Sequence, residues 1–104
     1  MVENERIMSP KPQTVFLVHH SHTDLGYTEP QSRITRWHID FIRQALAAVD
    51  SVPGFKWQCE CFWQVERFLV AADPGLKESF LAAVKRGAIG LSGSYLNFSE
   101  LLDE

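Results

Sequence analysis

The stretch Val15-Phe-Leu-Val-His-His-Ser-His-Thr-Asp-Leu-Gly-Tyr27 decides the fold, because a short apolar run ends there in three histidines and an aspartate. Val15 to Val18 are large or β-branched, which is typical of a fully buried parallel strand. The polar cluster begins where this strand is predicted to stop, and Gly26 permits a sharp turn directly after it. The stretch therefore predicts a strand with a cluster of polar side chains at its carboxyl end.

His20, His22 and Asp24 form a candidate metal site. They share sequence parity, so their side chains point the same way in an extended chain, roughly 6.5 to 7 Å apart at successive positions. Two ligands of one zinc ion need donor atoms only about 3.4 Å apart, so these side chains have to lean together in the turn. Imidazole and carboxylate suit a borderline divalent ion such as zinc. The alternative is a set of polar strand-end residues bonded to the backbone, but so dense a cluster favours a metal.

Length and composition limit the classes of protein that the chain can belong to. With 104 residues, 45% of them hydrophobic, it forms one domain at most and has enough apolar material for a core. The net charge of -3 is evenly spread, which gives no basic surface for nucleic acid or membranes. No apolar run reaches the ~20 residues of a membrane span. Residues 1–12 lack a signal-peptide segment, so we predict a cytoplasmic protein.

Helices and strands are predicted to alternate after the histidine cluster. Thr28-Glu-Pro-Gln31 has the form of a capping box, and Asp73-Pro74 that of a second helix start. The pattern predicts a helix with apolar positions from Ile34 to Val49, a strand at 55–61, helices at 62–72 and 74–86, and a strand at 88–92. Crossovers of this length connect parallel neighbours, so the predicted fold class is α/β, with consecutive β/α units and a parallel sheet.

Three loops are expected to meet at the carboxyl ends of the predicted strands: His20 to Asp24, Glu60 to Phe62 and Ser94 to Asn97. Binding and catalytic sites gather at this edge in parallel α/β folds. Three parallel strands leave two open edges, however, and a closed β/α barrel takes about 250 residues. We therefore expect residues 1–13 to be an arm and residues 14–104 to be the amino-terminal part of a larger catalytic domain.

Cys59 and Cys61 lack the C-x-x-C spacing of a redox motif and have no second pair for a structural zinc site. On a strand they face the same side. We interpret them as reduced, buried residues that behave as small hydrophobes.

The motif Val18-His-His-Ser-His-Thr-Asp-Leu-Gly-Tyr27 resembles the first strand end of glycoside hydrolase family 38, the α-mannosidases, which reads His-Ser-His-Asn-Asp-Pro-Gly-Trp. Residues 55–63 are similar to the second strand of that family, with Glu60 at its glutamate. Residues 88–100 are similar to its Gly-Gly-Trp-Val-Met-Pro-Asp-Glu segment, with Tyr95 at the tryptophan. The resemblance covers most of residues 14–104 and implies that the chain is part of a (β/α)7-type barrel.

The resemblance also implies a function and a set of site residues. It implies a zinc-dependent retaining glycoside hydrolase in which His22 and Asp24 bind Zn²⁺, His20 is a neighbour of the metal, and Tyr27 and Tyr95 line the sugar site. The implied partners are a carbohydrate substrate and the remainder of the catalytic domain, or a second copy of the chain. The nucleophile and a further zinc histidine would follow residue 104, so the 104 residues alone are expected to be inactive. Leu25 and Tyr27 replace proline and tryptophan of the family, which leaves the sugar open.

Two other functions stay open at this point. His20-Ser-His22 is also the H-x-H that amidohydrolases and histidinol-phosphatase-like phosphoesterases place after their first strand. In such an enzyme His20 and His22 would both bind the metal, and a metal-bound hydroxide would attack the substrate. A non-catalytic fragment or metal-binding module is the third possibility.

Overall fold

The structure is a computed structural model that describes residues 11, 13–23 and 29–96. Within these residues the elements are α1 (Gln31–Ser51), β1 (Trp57–Gln58), α2 (Phe62–Ala71), α3 (Pro74–Lys85) and β2 (Ile89–Gly90). The two strands are parallel neighbours, with Trp57 opposite Ile89 and Gln58 opposite Gly90. This strand, helix pair, strand order has the form of the β/α unit expected from the sequence. The (β/α)7-type barrel stays a prediction.

Helix α1 forms because apolar and aromatic side chains recur every three or four residues along one face. Its buried residues are Ile34, His38, Ile42, Ala45 and Leu46. Pro30 is the N-cap residue, and its carbonyl accepts hydrogen bonds from the backbone N–H groups of Arg33 and Ile34. Thr28 of the predicted capping box lies outside the described residues. The helix ends before Pro53-Gly54, where Gly54 has a φ of +81° that favours glycine.

Helix α3 shows the start and stop signals that its sequence predicts. The Asp73 carboxylate accepts a hydrogen bond of 2.8 Å from Leu76 N–H, and Pro74 occupies the first turn. Gly87 follows the helix with a φ of +81°. The sequence pattern predicts an apolar face of Leu76, Phe80, Leu81 and Val84. This was partly wrong, because Leu81 is 59% exposed whereas Ala83 is fully buried.

One hydrophobic core joins the three helices to the β1–β2 pair. Phe68 of α2 and Phe80 of α3 lie at its centre with ring centroids 5.1 Å apart. Burying a side chain of this size contributes roughly 1.5 to 3 kcal/mol. The buried members of the core are Ile42, Ala45, Leu46, Cys59, Val65, Phe68, Phe80, Ala83 and Ile89.

The prediction of a buried strand at Val15 to Val18 was wrong. The structure assigns no strand there, and the four side chains are 62% to 85% exposed. The segment reaches the sheet at its carboxyl end, where Gln58 N–H donates a hydrogen bond of 2.7 Å to the His19 carbonyl. The helices pack around β1 and β2, so the apolar side chains of this run are left uncovered by the part of the chain that the structure describes.

None of the described helices combines the length and the apolar character needed to cross a lipid bilayer.

Candidate functional site

The candidate site lies where the chain leaves β1, beside the histidine motif. Glu60 follows that strand by two residues, and the hydrogen bond from Gln58 to His19 brings the two segments together. The histidines that follow the exposed apolar run therefore lie beside the carboxyl end of β1. This is the edge at which parallel α/β folds assemble their sites.

The carboxylate of Glu60 lies beside His20 and His22, the two histidines of the motif that share sequence parity. Its Oε2 lies 2.6 Å from His22 Nδ1, and its Oε1 lies 3.9 Å from His20 Nδ1. The first distance is that of a strong, charge-assisted hydrogen bond, whereas the second is too long for a direct one. The Glu60 side chain is only 20% exposed, against 59% for His22. A largely buried carboxylate therefore binds the exposed imidazole of His22 and lies near that of His20.

The backbone of Glu60 is bound to helix α2. The backbone N–H of Glu60 donates to the Oε1 of Gln64, a buried residue of α2, at 3.2 Å. Oε1 of Glu60 is buried and accepts no hydrogen bond from the residues that the structure describes. A buried carboxylate oxygen normally has a donor or a cation beside it.

His38 of α1 is a second buried polar group near Glu60. It is 1% exposed, and its ring makes edge contacts with Phe41 and Trp63 at centroid distances of 5.6 and 6.0 Å. Its Nε2 atom has no hydrogen-bond partner among the described residues. Burial lowers the pKa of His38, and the negative charge of Glu60 opposes that shift. His38 is therefore held neutral inside the helical layer.

The loop after β2 is bound to the start of α2, two residues after Glu60. The carbonyls of Ser94 and Tyr95 accept hydrogen bonds of 2.8 and 2.9 Å from the N–H groups of Phe62 and Trp63. These N–H groups are the first two of α2, which has no side-chain cap. The loop backbone therefore caps the helix, and loop and helix are joined at their ends.

Tyr95 is oriented by its hydroxyl group, which donates a hydrogen bond to Glu66 of α2. Arg67 Nη2 lies 3.0 Å from the same carboxylate oxygen. These hydrogen bonds lower the pKa of Glu66, and the one from Tyr95 raises the pKa of Tyr95. Tyr95 as a whole remains 48% exposed, so an oriented and accessible aromatic residue lies beside the start of α2.

The sequence-predicted site residues have different outcomes. His20 and His22 both lie beside the carboxylate of Glu60. Tyr95 lies on the loop that caps α2, the helix that starts two residues after Glu60. Asp24 and Tyr27 lie outside the described residues. Among the residues that are described, no group of three His, Cys, Asp or Glu side chains is arranged to hold a metal ion. The proposed ligand pair of His22 and Asp24 thus stays a prediction.

Two contributors were missed or undervalued by sequence reasoning. His38 lies four residues after Ile34 and four before Ile42, so helical spacing alone places it on the buried face. Glu60 was predicted to meet the histidine cluster at the same edge of the sheet, and the structure confirms this, but its individual contact with His22 was not predicted. Its contact with His22 spans 38 positions in the chain, and no local pattern reports such a contact.

Cys59 and Cys61 are free and buried. Burial, reinforced by the neighbouring Cys61, raises the pKa of Cys59 to about 12. A thiol with such a pKa is almost entirely protonated at neutral pH and is a poor metal ligand or nucleophile. The structure agrees with their interpretation as small hydrophobes.

Comparison with known protein families identifies a match over most of the chain. The model of the glycosyl hydrolases family 38 N-terminal domain matches residues 12–102. Neither the curated proteins nor the solved structures include one with significant similarity to the chain.

Proposed function

The chain belongs to glycosyl hydrolase family 38, and we propose that it serves as part of a zinc-dependent, retaining, α-mannosidase-like glycoside hydrolase. His22 and Asp24 are the proposed metal ligands, and Tyr27 and Tyr95 the proposed sugar contacts. The observation that carries the proposal is the convergence of His20, His22 and Glu60 beside β1 in a chain of this family.

The chemistry of the residues at this edge fits a zinc ion. Imidazole and carboxylate are both common zinc ligands. Glu60 adds a negative charge beside the histidines, and its Oε1 is a buried acceptor without a hydrogen-bond donor among the described residues. A bound cation would offset this charge. The surroundings of His22 are therefore favourable for a divalent ion.

Zinc, when bound, would hold vicinal sugar hydroxyls and favour an oxocarbenium-like ring. The side chains of this chain have simpler tasks in the proposal. His22 and Asp24 hold the ion at the rim, and Tyr95, fixed through Glu66, offers the face of its ring to the apolar face of a sugar. Retention needs two carboxyl groups roughly 5 to 5.5 Å apart, and we assign neither to a residue described here.

Zinc affinity of single variants tests the proposal. We expect the chain to bind Zn²⁺, measured by competition with a chromogenic chelator, and His22→Ala and Asp24→Ala each to abolish binding. His20→Ala should have the milder effect. The opposite ranking, with His20→Ala abolishing binding and Asp24→Ala retaining it, would contradict the glycosidase assignment and favour an H-x-H amidohydrolase or phosphoesterase.

Sugar binding gives a second readout that does not depend on turnover. Methyl α-mannoside should perturb the NMR signals of Tyr95 only when Zn²⁺ is present, because the ion supplies the contacts to the hydroxyls. Equal perturbation without Zn²⁺ would show that the metal does not hold the sugar. Turnover of aryl α-mannosides by the 104 residues would contradict our expectation that they lack the nucleophile.

A further inference from the structure

We propose that Glu60 is a positioning residue whose carboxylate fixes the ring orientation and the tautomer of His22, so that a metal ion binds this histidine through Nε2. The inference deepens the proposed function and rests on it. It concerns a residue that neither binds the ion nor touches the sugar in the proposed site.

The short contact defines which ring nitrogen carries a proton. An ionised carboxylate only accepts hydrogen bonds, so the His22 Nδ1 atom at 2.6 Å from Glu60 Oε2 must be the donor. Any bond of the ring to a metal ion then goes through Nε2. Metal-binding histidines commonly donate their other N–H to a carboxylate, which fixes the ring and makes it more basic.

The position of Glu60 in the fold distinguishes this contact from an ordinary surface ion pair. Exposed pairs join two flexible side chains and contribute little. The Glu60 side chain is 20% exposed, and its backbone N–H is bound to the buried Gln64. The backbone at Glu60 is therefore tied to α2, and the acceptor side chain is much less exposed than in an ordinary surface pair.

The same carboxylate also lies near His20, which precedes His22 by two residues. Its second oxygen, Oε1, lies 3.9 Å from His20 Nδ1. His20 and His22 are thus arranged on one acidic group that belongs to a different part of the chain. This arrangement aligns the histidine segment with β1 and sets the direction in which the His22 ring faces.

The first experiment reads the tautomer in the metal-free chain. Long-range ¹⁵N–¹H NMR spectra of the ¹⁵N-labelled protein should show a proton on Nδ1 of His22. In Glu60→Gln the amide oxygen can still accept from Nδ1, so this tautomer should persist, whereas in Glu60→Ala the two tautomers should mix. A proton on Nε2 of His22 in the unaltered protein would overturn the inference.

The second experiment measures Zn²⁺ affinity. Loss of a carboxylate behind a ligating histidine typically costs 10 to 100-fold in affinity, so we expect a loss of about that size in Glu60→Ala and a smaller one in Glu60→Gln. Glu78→Ala, which removes an exposed glutamate of α3, is the matched control and should bind as the unaltered chain does. Far-ultraviolet circular dichroism identifies a variant that fails to fold, and Glu60→Gln then carries the comparison.

The outcomes separate this inference from the proposed function. Zinc binding that depends on His22 but is unchanged in Glu60→Ala and Glu60→Gln overturns the role of Glu60 alone. An unaltered chain that does not bind Zn²⁺ overturns the proposed function and this role with it. A Zn²⁺ affinity that is lower in Glu60→Gln and lower still in Glu60→Ala, together with a proton on Nδ1 of His22, supports both proposals.

Discussion

The packed half of the molecule, residues 31–90, and the histidine segment, residues 13–23, are held by different forces. In the packed half, side chains such as Phe68 and Ile34 are fully buried. In the histidine segment, Phe16 is 85% exposed. Apart from the His19 ring, which stacks on Phe55, this segment is joined to the packed half by polar contacts: Gln58 to the His19 carbonyl, and Glu60 to His20 and His22. Packing therefore stabilises the fold, whereas hydrogen bonds to Glu60 and Gln58 place the chemistry.

The largest expected effect compares two phenylalanines, one in each region. Phe68→Ala should lower the free energy of unfolding by about 3 to 5 kcal/mol, because it removes a fully buried ring from the centre of the core. Phe16→Ala should change it by no more than about 0.5 kcal/mol. Urea denaturation followed by circular dichroism measures both values. A loss in Phe16→Ala as large as that in Phe68→Ala would mean that the apolar run is buried, as its sequence predicts.

A smaller effect is expected from the N-cap of α3, which tests how much a local helix-start signal stabilises the packed half. Asp73→Ala should lower the free energy of unfolding by about 1 kcal/mol, because the Leu76 N–H loses the carboxylate that accepts its hydrogen bond. Ser79→Ala, at an exposed position in the same helix, is the control and should stay within about 0.5 kcal/mol of the unaltered chain. Equal values in the same urea titration would show that α3 depends on packing alone.

The smallest effect concerns His38, which lies in the packed half beside the Glu60 that holds the histidine segment. Its folded-state pKa is lowered from 6.5 by burial. As the pH falls through the unfolded-state pKa, the unfolded chain takes up the proton first, so the free energy of unfolding should decrease. His38→Leu should weaken this decrease between pH 7 and about pH 5.

The control for that measurement is Ile42→Val, which shortens a buried side chain on the same face of α1 without removing a titratable group. It should lower the free energy of unfolding by a similar amount at every pH. A pH dependence that is the same in His38→Leu as in the unaltered chain would show that His38 is hydrated and titrates normally.

Much of the packed half can be predicted from the sequence because its signals are local. Helical spacing, the cap Asp73-Pro74 and the glycines at 54 and 87 act within a few residues, and α2 and α3 lie where those signals place them. The strand predicted at 55–61 is shorter in the structure, Trp57–Gln58. Alternation along that stretch predicts that Cys59 and Cys61 share a face, and both are buried.

The histidine segment could be predicted only in part, because its environment depends on distant residues. The apolar character of Val15 to Val18 indicates burial, but it does not say which element provides the cover. The partner of His22 is 38 positions away. The sequence identifies the histidines as candidates and places Glu60 at the same edge of the predicted sheet, whereas the hydrogen bond between Glu60 and His22 emerges only from the fold.

Because Cys59 is buried, its reaction with a thiol reagent can be used to measure opening of the packed half. This thiol is fully inaccessible, and its pKa of about 12 keeps it protonated. A thiol-specific dye can therefore react with Cys59 only in molecules in which β1 has separated from the helices. Differences in labelling rate between conditions then report differences in the population of opened molecules. Because β1 leads directly to Glu60, zinc that protects Cys59 from the dye would link occupation of the histidine site to closure of the core.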